Sequence, residues 1–186
     1  MASFELSQYV NNLISKIERE GITVERIRAL YSASATAMFQ EEDIDYSLKV
    51  SDTAKKYIAK YCLTESHRDF WNIENYCADN KKHIDIVDLY YDILKQESYY
   101  NFQSFIYYME KNRGSKKRFY FPRRRTLQVV VKDLMDLENR KFKFYGLSMP
   151  SRVGKSTICI FFLAWILMKR PNSHNAMGGH SGALAK

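Results

Sequence analysis

The chain has 186 residues, of which 46% are hydrophobic, and a formal net charge of +8 at pH 7. That apolar content is ample for a packed core, which sets disorder aside as the default. The length suits one ordinary domain or two small ones, and the basic balance points mildly toward a polyanionic partner.

The first hundred-odd residues read as short helices without glycine-rich punctuation. In SFELSQYVNNLISKIEREG, Ser3 is a plausible cap, Phe4, Leu6, Tyr9, Val10, Leu13, Ile14 and Ile17 recur at helical spacing, and Gly21 is the expected stop. TVERIRALYSASATAMF opens on Thr23, a weaker cap because Arg26 stands where a capping glutamate would be. EEDIDYSLKVSDTAKKYIAKYCL and SHRDFWNIENYCADN are expected to be helical. HIDIVDLYYDILKQESYY places Ile86, Leu89, Tyr90, Ile93 and Leu94 on one face, and FQSFIYYMEKNRG predicts a further helix closed by Gly114.

Composition changes at Lys111. From there to Arg125 lie Lys111, Arg113, Lys116, Lys117, Arg118, Arg123, Arg124 and Arg125, with no acidic residue among them. The run is either a solvated basic linker or a strip facing phosphate. Phe119, Tyr120 and Phe121 interleave with the charges, where they could stack a base or pack inward as a short strand. After Pro122, Leu127, Val130, Val131, Leu134 and Leu137 define another amphipathic helix.

KFYGLSM then reads as a strand, PSRVGKST as a loop, and ICIFFLAWILM as a buried helix. This last run falls short of the roughly 20 residues a membrane-spanning helix needs, so no membrane span is expected. Gly154, Lys155 and Ser156 fill three places of a phosphate-binding loop: glycine lets the chain curl, lysine meets the β/γ-phosphates, and the hydroxyl holds Mg²⁺. The strict pattern fails at its first glycine, where Met149 stands, but the strand before and apolar helix after are the context the motif requires. Beyond Pro171, Ser173 to Met177 is expected to form a second strand. His180 and Ser181 either face a nucleotide or belong to a glycine-rich turn.

Three cysteines, Cys62, Cys77 and Cys159, include no Cys-x-x-Cys, and no signal peptide opens the chain, so a reduced cytoplasmic protein is expected. Cys62, His67, Cys77 and His83 match a zinc set in residue type but not in finger or ribbon spacing; ordinary buried thiols and surface imidazoles are the simpler reading.

At SMPSRVGKST, FFLAWILMKRP and GGHSGALA the sequence resembles the large terminase subunit of tailed bacteriophages, the ATPase that drives double-stranded DNA into the procapsid. That family's phosphate loop commonly reads Pro-x-Arg-x-Gly-Lys-Ser and lacks the first glycine. MEKNRGSKKRFYFPRRRTLQ also resembles the stretch before the motor domain in one branch, so the likeness spans about Met109 to Lys186.

The resemblance implies ATP and Mg²⁺ as cofactors. Lys155 would contact the β/γ-phosphates and Ser156 would bind Mg²⁺. Ser151 and the backbone of Val153, Gly154 and Thr157 would cradle phosphate, and Arg152 would sense or trigger hydrolysis. Gln128 would read adenine. It further implies double-stranded DNA, a small terminase subunit and a portal as partners, in an oligomeric motor in the bacterial cytoplasm.

The fold expectation is an α-helical N-terminal region (1–110), a basic linker and helix (111–142), and an incomplete α/β P-loop NTPase domain with a RecA-like parallel sheet (143–186). The family's second acidic strand motif and nuclease domain do not occur in these residues, so a fragment that binds nucleotide, hydrolyses it poorly and self-associates is expected. A helicase-like translocase shares the same core. A non-catalytic module docking DNA, small terminase subunit or portal is the reading from a different class.

Overall fold

The computed structural model describes residues 2–66, 84–172 and 174, with backbone alone for 63–66 and for Ser115. The chain divides into two compact units, Met1–Arg124 and Arg125–Lys186.

Four helices of the first unit begin where a short polar side chain takes up an orphan backbone donor. Helix α1 (Phe4–Glu20) starts at Ser3, whose Oγ accepts from the Leu6 amide at 3.2 Å. It stops at Gly21, whose φ of +97° is one that a Cβ would strain. Helix α2 (Val24–Phe39) starts at Thr23, which accepts from Arg26 N–H. Helix α3 (Ile44–Ser66) follows Asp43, whose carboxylate accepts the Tyr46 N–H at 3.0 Å; that bond, first among several influences, holds the carboxyl below its ordinary range. Helix α4 (Ile84–Glu97) buries Ile86, Leu89, Tyr90, Ile93 and Leu94, the face its periodicity predicts. Helix α5 (Phe102–Met109) is capped by Asn101 and ends at Glu110, short of Gly114.

Helix α2 packs along α3, with α1 against α2, α4 against both α2 and α3, and α5 against α4. Ala33, Ser34 and Ala37 of α2 are buried and small, so the α3 backbone comes close. Ser34 Oγ donates to the Ser47 carbonyl at 3.0 Å, and Ser47 Oγ to the Ser34 carbonyl at 2.7 Å. Around this contact Ile27, Leu30, Ile58, Ile93 and Phe102 are fully buried. Each stabilises the unit by about 1.5–3 kcal/mol relative to exposure.

One carboxylate sits inside this core. Glu97, at the end of α4, accepts from Ser51 and Ser104, and its Oε2 lies 2.8 Å from Lys55 Nζ. Three helices therefore meet on a buried charge whose desolvation is offset by an ammonium and two hydroxyls.

The basic run does not form a strand. It forms two 3₁₀ turns, Ser115–Lys117 and Phe121–Arg123. Glu110, buried, accepts from Phe119 N–H at 2.7 Å and Tyr120 N–H at 3.1 Å, which curls the run back onto α5. Tyr120 is fully buried and edge-on to Tyr107, with ring centroids 5.3 Å apart. Arg118 is buried too, donating to Tyr91 Oη and the Arg113 carbonyl. The aromatic at the centre of the run is thus core rather than a base-stacking surface, while Lys111, Arg113, Lys116, Lys117 and Arg125 remain exposed.

The second unit carries α6 (Arg124–Glu138), which buries Leu127, Val130, Val131 and Leu134, and α7 (Lys155–Lys169). Glu138, at the end of α6, pairs with Lys169 at 3.3 Å and Arg170 at 2.9 Å, so the C-terminal ends of the two helices meet on one carboxylate.

Here the expected α/β P-loop domain is corrected. Among the described residues there is no strand, and the structure is helical with turns and irregular segments. KFYGLSM is irregular but retains strand-like alternation of burial: Tyr145, Leu147 and Met149 are half-buried, Gly146 and Ser148 exposed. Phe144 is 84% exposed. A strand exists only through ladder bonds to a neighbour, and no described segment supplies one; a helix closes its own bonds and needs none. The expected second strand, Ser173 to Met177, lies outside the described residues apart from His174. So do His180 and Ser181, and most of SHRDFWNIENYCADN. Helix α7 buries Ile158 and Trp165 but leaves Ile160, Leu167 and Met168 exposed.

Candidate nucleotide-binding loop

Between Pro150 and α7 the chain makes a tight reversal. Arg152 has a φ of +65° and Gly154 a φ of +105°, two left-handed residues separated by Val153. Glycine adopts this region freely, whereas the Cβ of arginine makes it costly. Gly154 is also the N-cap of α7, and being glycine it brings no side chain to cap the first turn. The helices begun by Ser3, Thr23 and Asn101 are each capped by that residue's side chain. The first amides of α7 consequently have no intrahelical acceptor and no side-chain cap, at the end of a 15-residue helix whose dipole favours an anion.

Lys155, first residue of α7, turns its ammonium back across the loop and donates to the carbonyl of Met149. The loop is thereby closed into a ring with its cation at the mouth. Ser151, Arg152 and Ser156 are exposed, and Val153, Gly154, Lys155 and Thr157 are half-buried. One ammonium, one guanidinium, three hydroxyls and the uncapped first amides of α7 lie within these seven residues. That donor set suits a polyphosphate.

Gln128 is exposed on α6, and its side chain makes no hydrogen bond among the described residues. A contact not legible in the sequence is made by Tyr145, whose hydroxyl donates to Asp133 Oδ2 at 2.9 Å and ties the segment before the loop to α6. Burial, then the bond to and charge of Asp133, push its phenol up to about 12. The pairing spans twelve residues without a local motif, so nothing in the sequence announces it.

Of the zinc candidates, Cys62 is buried, while His67, Cys77 and His83 lie outside the described residues. Among the described residues no cluster of three or more His, Cys, Asp or Glu side chains could hold a metal ion. Nor is any described helix long and apolar enough to cross a membrane. Comparison with family models, curated proteins and solved structures gives no match.

Proposed function

We propose that this chain is the nucleotide-binding part of a DNA-packaging motor of the large terminase kind. It takes ATP with Mg²⁺ at Ser151–Thr157 and acts on double-stranded DNA in a bacterial host's cytoplasm, in an oligomeric motor with small terminase subunit and portal as partners. The observation that carries the reading is the loop itself: Gly154 in a left-handed cap, uncapped amides behind it, and Lys155 folded over them onto the Met149 carbonyl. A polyphosphate would exchange that single carbonyl for several anionic oxygens, a stronger partner for an ammonium. Lys155 and Arg152 would hold the phosphates and Ser156 the Mg²⁺. The ion supplies charge neutralisation and a template for phosphate geometry.

Calorimetric titration of Mg-ATPγS into the chain, beside Lys155→Ala, tests this. Saturable binding lost in the variant is the expected result. No binding to the wild-type chain, with circular dichroism showing it folded, rules the loop out as a nucleotide site.

A second reading, a docking module, is favoured by one observation. Met1–Arg124 is a helical unit with its own core, independent of the loop. Binding of DNA or of a partner that is indifferent to Lys155→Ala would support it.

A further inference from the structure

Between α3, α4 and the start of α5, the first unit holds a cavity of about 330 Å³, within the size range of small-ligand sites. Helix α3 lines it with Asp52, Lys55 and Lys56, Asn101 lines it from the cap of α5, and Arg124 from the last position of the unit. Three cations therefore line the cavity with one carboxylate. Counting also Glu97, which holds Lys55 at 2.8 Å, the cations still outnumber the anions by one.

Two lining groups carry donors that the protein itself does not use. Lys55 has three ammonium protons and, among the described residues, one hydrogen bond, to Glu97. Its other carboxylate neighbour, Asp52, stands at 3.9 Å, beyond hydrogen-bond reach. The Lys55 side chain is only 20% exposed, so water reaches it poorly.

Asn101 supplies the second. Its Oδ1 accepts from the backbone N–H of Gln103 at 2.9 Å and of Ser104 at 3.2 Å. A backbone N–H can only donate, so the orientation of the carboxamide is fixed by chemistry. What Asn101 has left to offer is its NH₂, a donor with no partner among the described residues. The remaining lining pair, Lys56 with Asp52 at 2.8 Å, is largely exposed on both sides and gives way to a stronger partner at little cost.

We propose that this cavity binds a phosphate group, held by Lys55, Lys56, Arg124 and the Asn101 NH₂. The lining is rich in donors and carries excess positive charge, which selects an anion that is a multiple acceptor. The donors come from three separate segments of the chain. A phosphate presents oxygens in several directions at once, whereas a planar carboxylate presents two in one plane. The site belongs wholly to the first unit and shares no residue with the loop at Ser151–Thr157, so it would serve the chain under either functional reading.

The test uses the full chain, with inorganic phosphate and ribose 5-phosphate as probes at millimolar concentration and constant ionic strength. Ribose is the uncharged control, and amide-resonance mapping is the readout. Saturable shifts at Lys55, Lys56 and Asn101 are expected with both phosphates and not with ribose, and are expected to persist in Lys155→Ala. Asn101→Asp keeps a capping oxygen but exchanges the NH₂ donor for a negative charge. It should melt as the wild-type chain does and bind phosphate about tenfold more weakly. Lys56→Gln, at an exposed position, should also weaken binding without moving the melt. Short duplex DNA separates the two sources of the group: shifts of the same amides at lower concentration than with ribose 5-phosphate assign the site to nucleic-acid backbone, and none assign it to a small phosphorylated molecule. An absence of shifts at these residues with phosphate would overturn the proposal. So would shifts undiminished in both Asn101→Asp and Lys56→Gln, or shifts that vanish in Lys155→Ala and so place phosphate at the loop alone.

Discussion

Lys155 donates its ammonium to the backbone carbonyl of Met149, closing the loop that precedes α7 into a ring. Met149 occupies the place where a phosphate-binding loop ordinarily starts on glycine, and here its carbonyl, not its side chain, meets the lysine. The contact is made through an atom that every residue has, so it does not require a glycine at position 149.

The two left-handed residues of the loop should respond oppositely to substitution. Gly154→Ala places a Cβ at φ +105°. It is expected to destabilise the second unit by about 1–2 kcal/mol and to weaken Mg-ATPγS binding. Arg152→Gly relieves the strain at φ +65° and removes a cation. Its melting temperature should rise while affinity falls. Thermal melts beside calorimetric titrations of both variants check this; affinity unchanged in Arg152→Gly would remove the arginine from the site.

The basic run separates into exposed and buried cations. Lys116 and Lys117 are exposed, whereas Arg118 is buried on Tyr91 and the Arg113 carbonyl. Lys116→Glu with Lys117→Glu is expected to leave the melt unchanged and to lower the slope of log affinity for double-stranded DNA against log salt by about 1 for each phosphate no longer neutralised. Arg118→Ala should do the reverse, lowering stability and sparing the slope. Filter binding across a salt series distinguishes them.

Glu97 holds three helices together through Ser51, Lys55 and Ser104. Glu97→Ala would take the carboxylate from the Lys55 ammonium, whose side chain is only 20% exposed, and the acceptor from the Ser104 hydroxyl, while Ser51 keeps the Leu48 carbonyl. A loss of about 3–5 kcal/mol is expected, enough to unfold a marginal unit. Urea unfolding followed by helical circular dichroism measures it; a loss below about 1 kcal/mol would mean the carboxylate is dispensable.

Tyr145 makes stability fall at alkaline pH. Its phenol is raised from 10.0 to about 12 in the folded chain, so the folded state holds this proton more tightly than the unfolded state does. The contribution is fully present below pH 10 and is lost as pH rises toward 12. Tyr145→Phe should cost about 1 kcal/mol near neutrality for the missing bond to Asp133, and should flatten the alkaline decline. Urea midpoints measured near neutrality and above pH 10 test both; an unchanged alkaline decline would assign it to other groups.

Much of the helical architecture was legible because helices are local. Ser3, Thr23 and Gly21 mark ends by the hydrogen bonds and φ angles they permit, and the spacing of Ile86, Leu89, Tyr90, Ile93 and Leu94 identifies a buried face without reference to what covers it. The turn at Gly154 and the helix that follows it were legible for the same reason, since glycine's conformational freedom and the apolar run are local to the sequence. What failed was the sheet. Tyr145, Leu147 and Met149 alternate as a strand should, but alternation describes side chains while a strand is made by backbone bonds to another segment, and no described residues provide them. Likewise, only the tertiary structure turned Tyr120 and Arg118 inward and set Glu97 between three helices. Each depends on groups distant in sequence becoming neighbours, and a buried polar atom is satisfied or stranded only once the chain has folded around it.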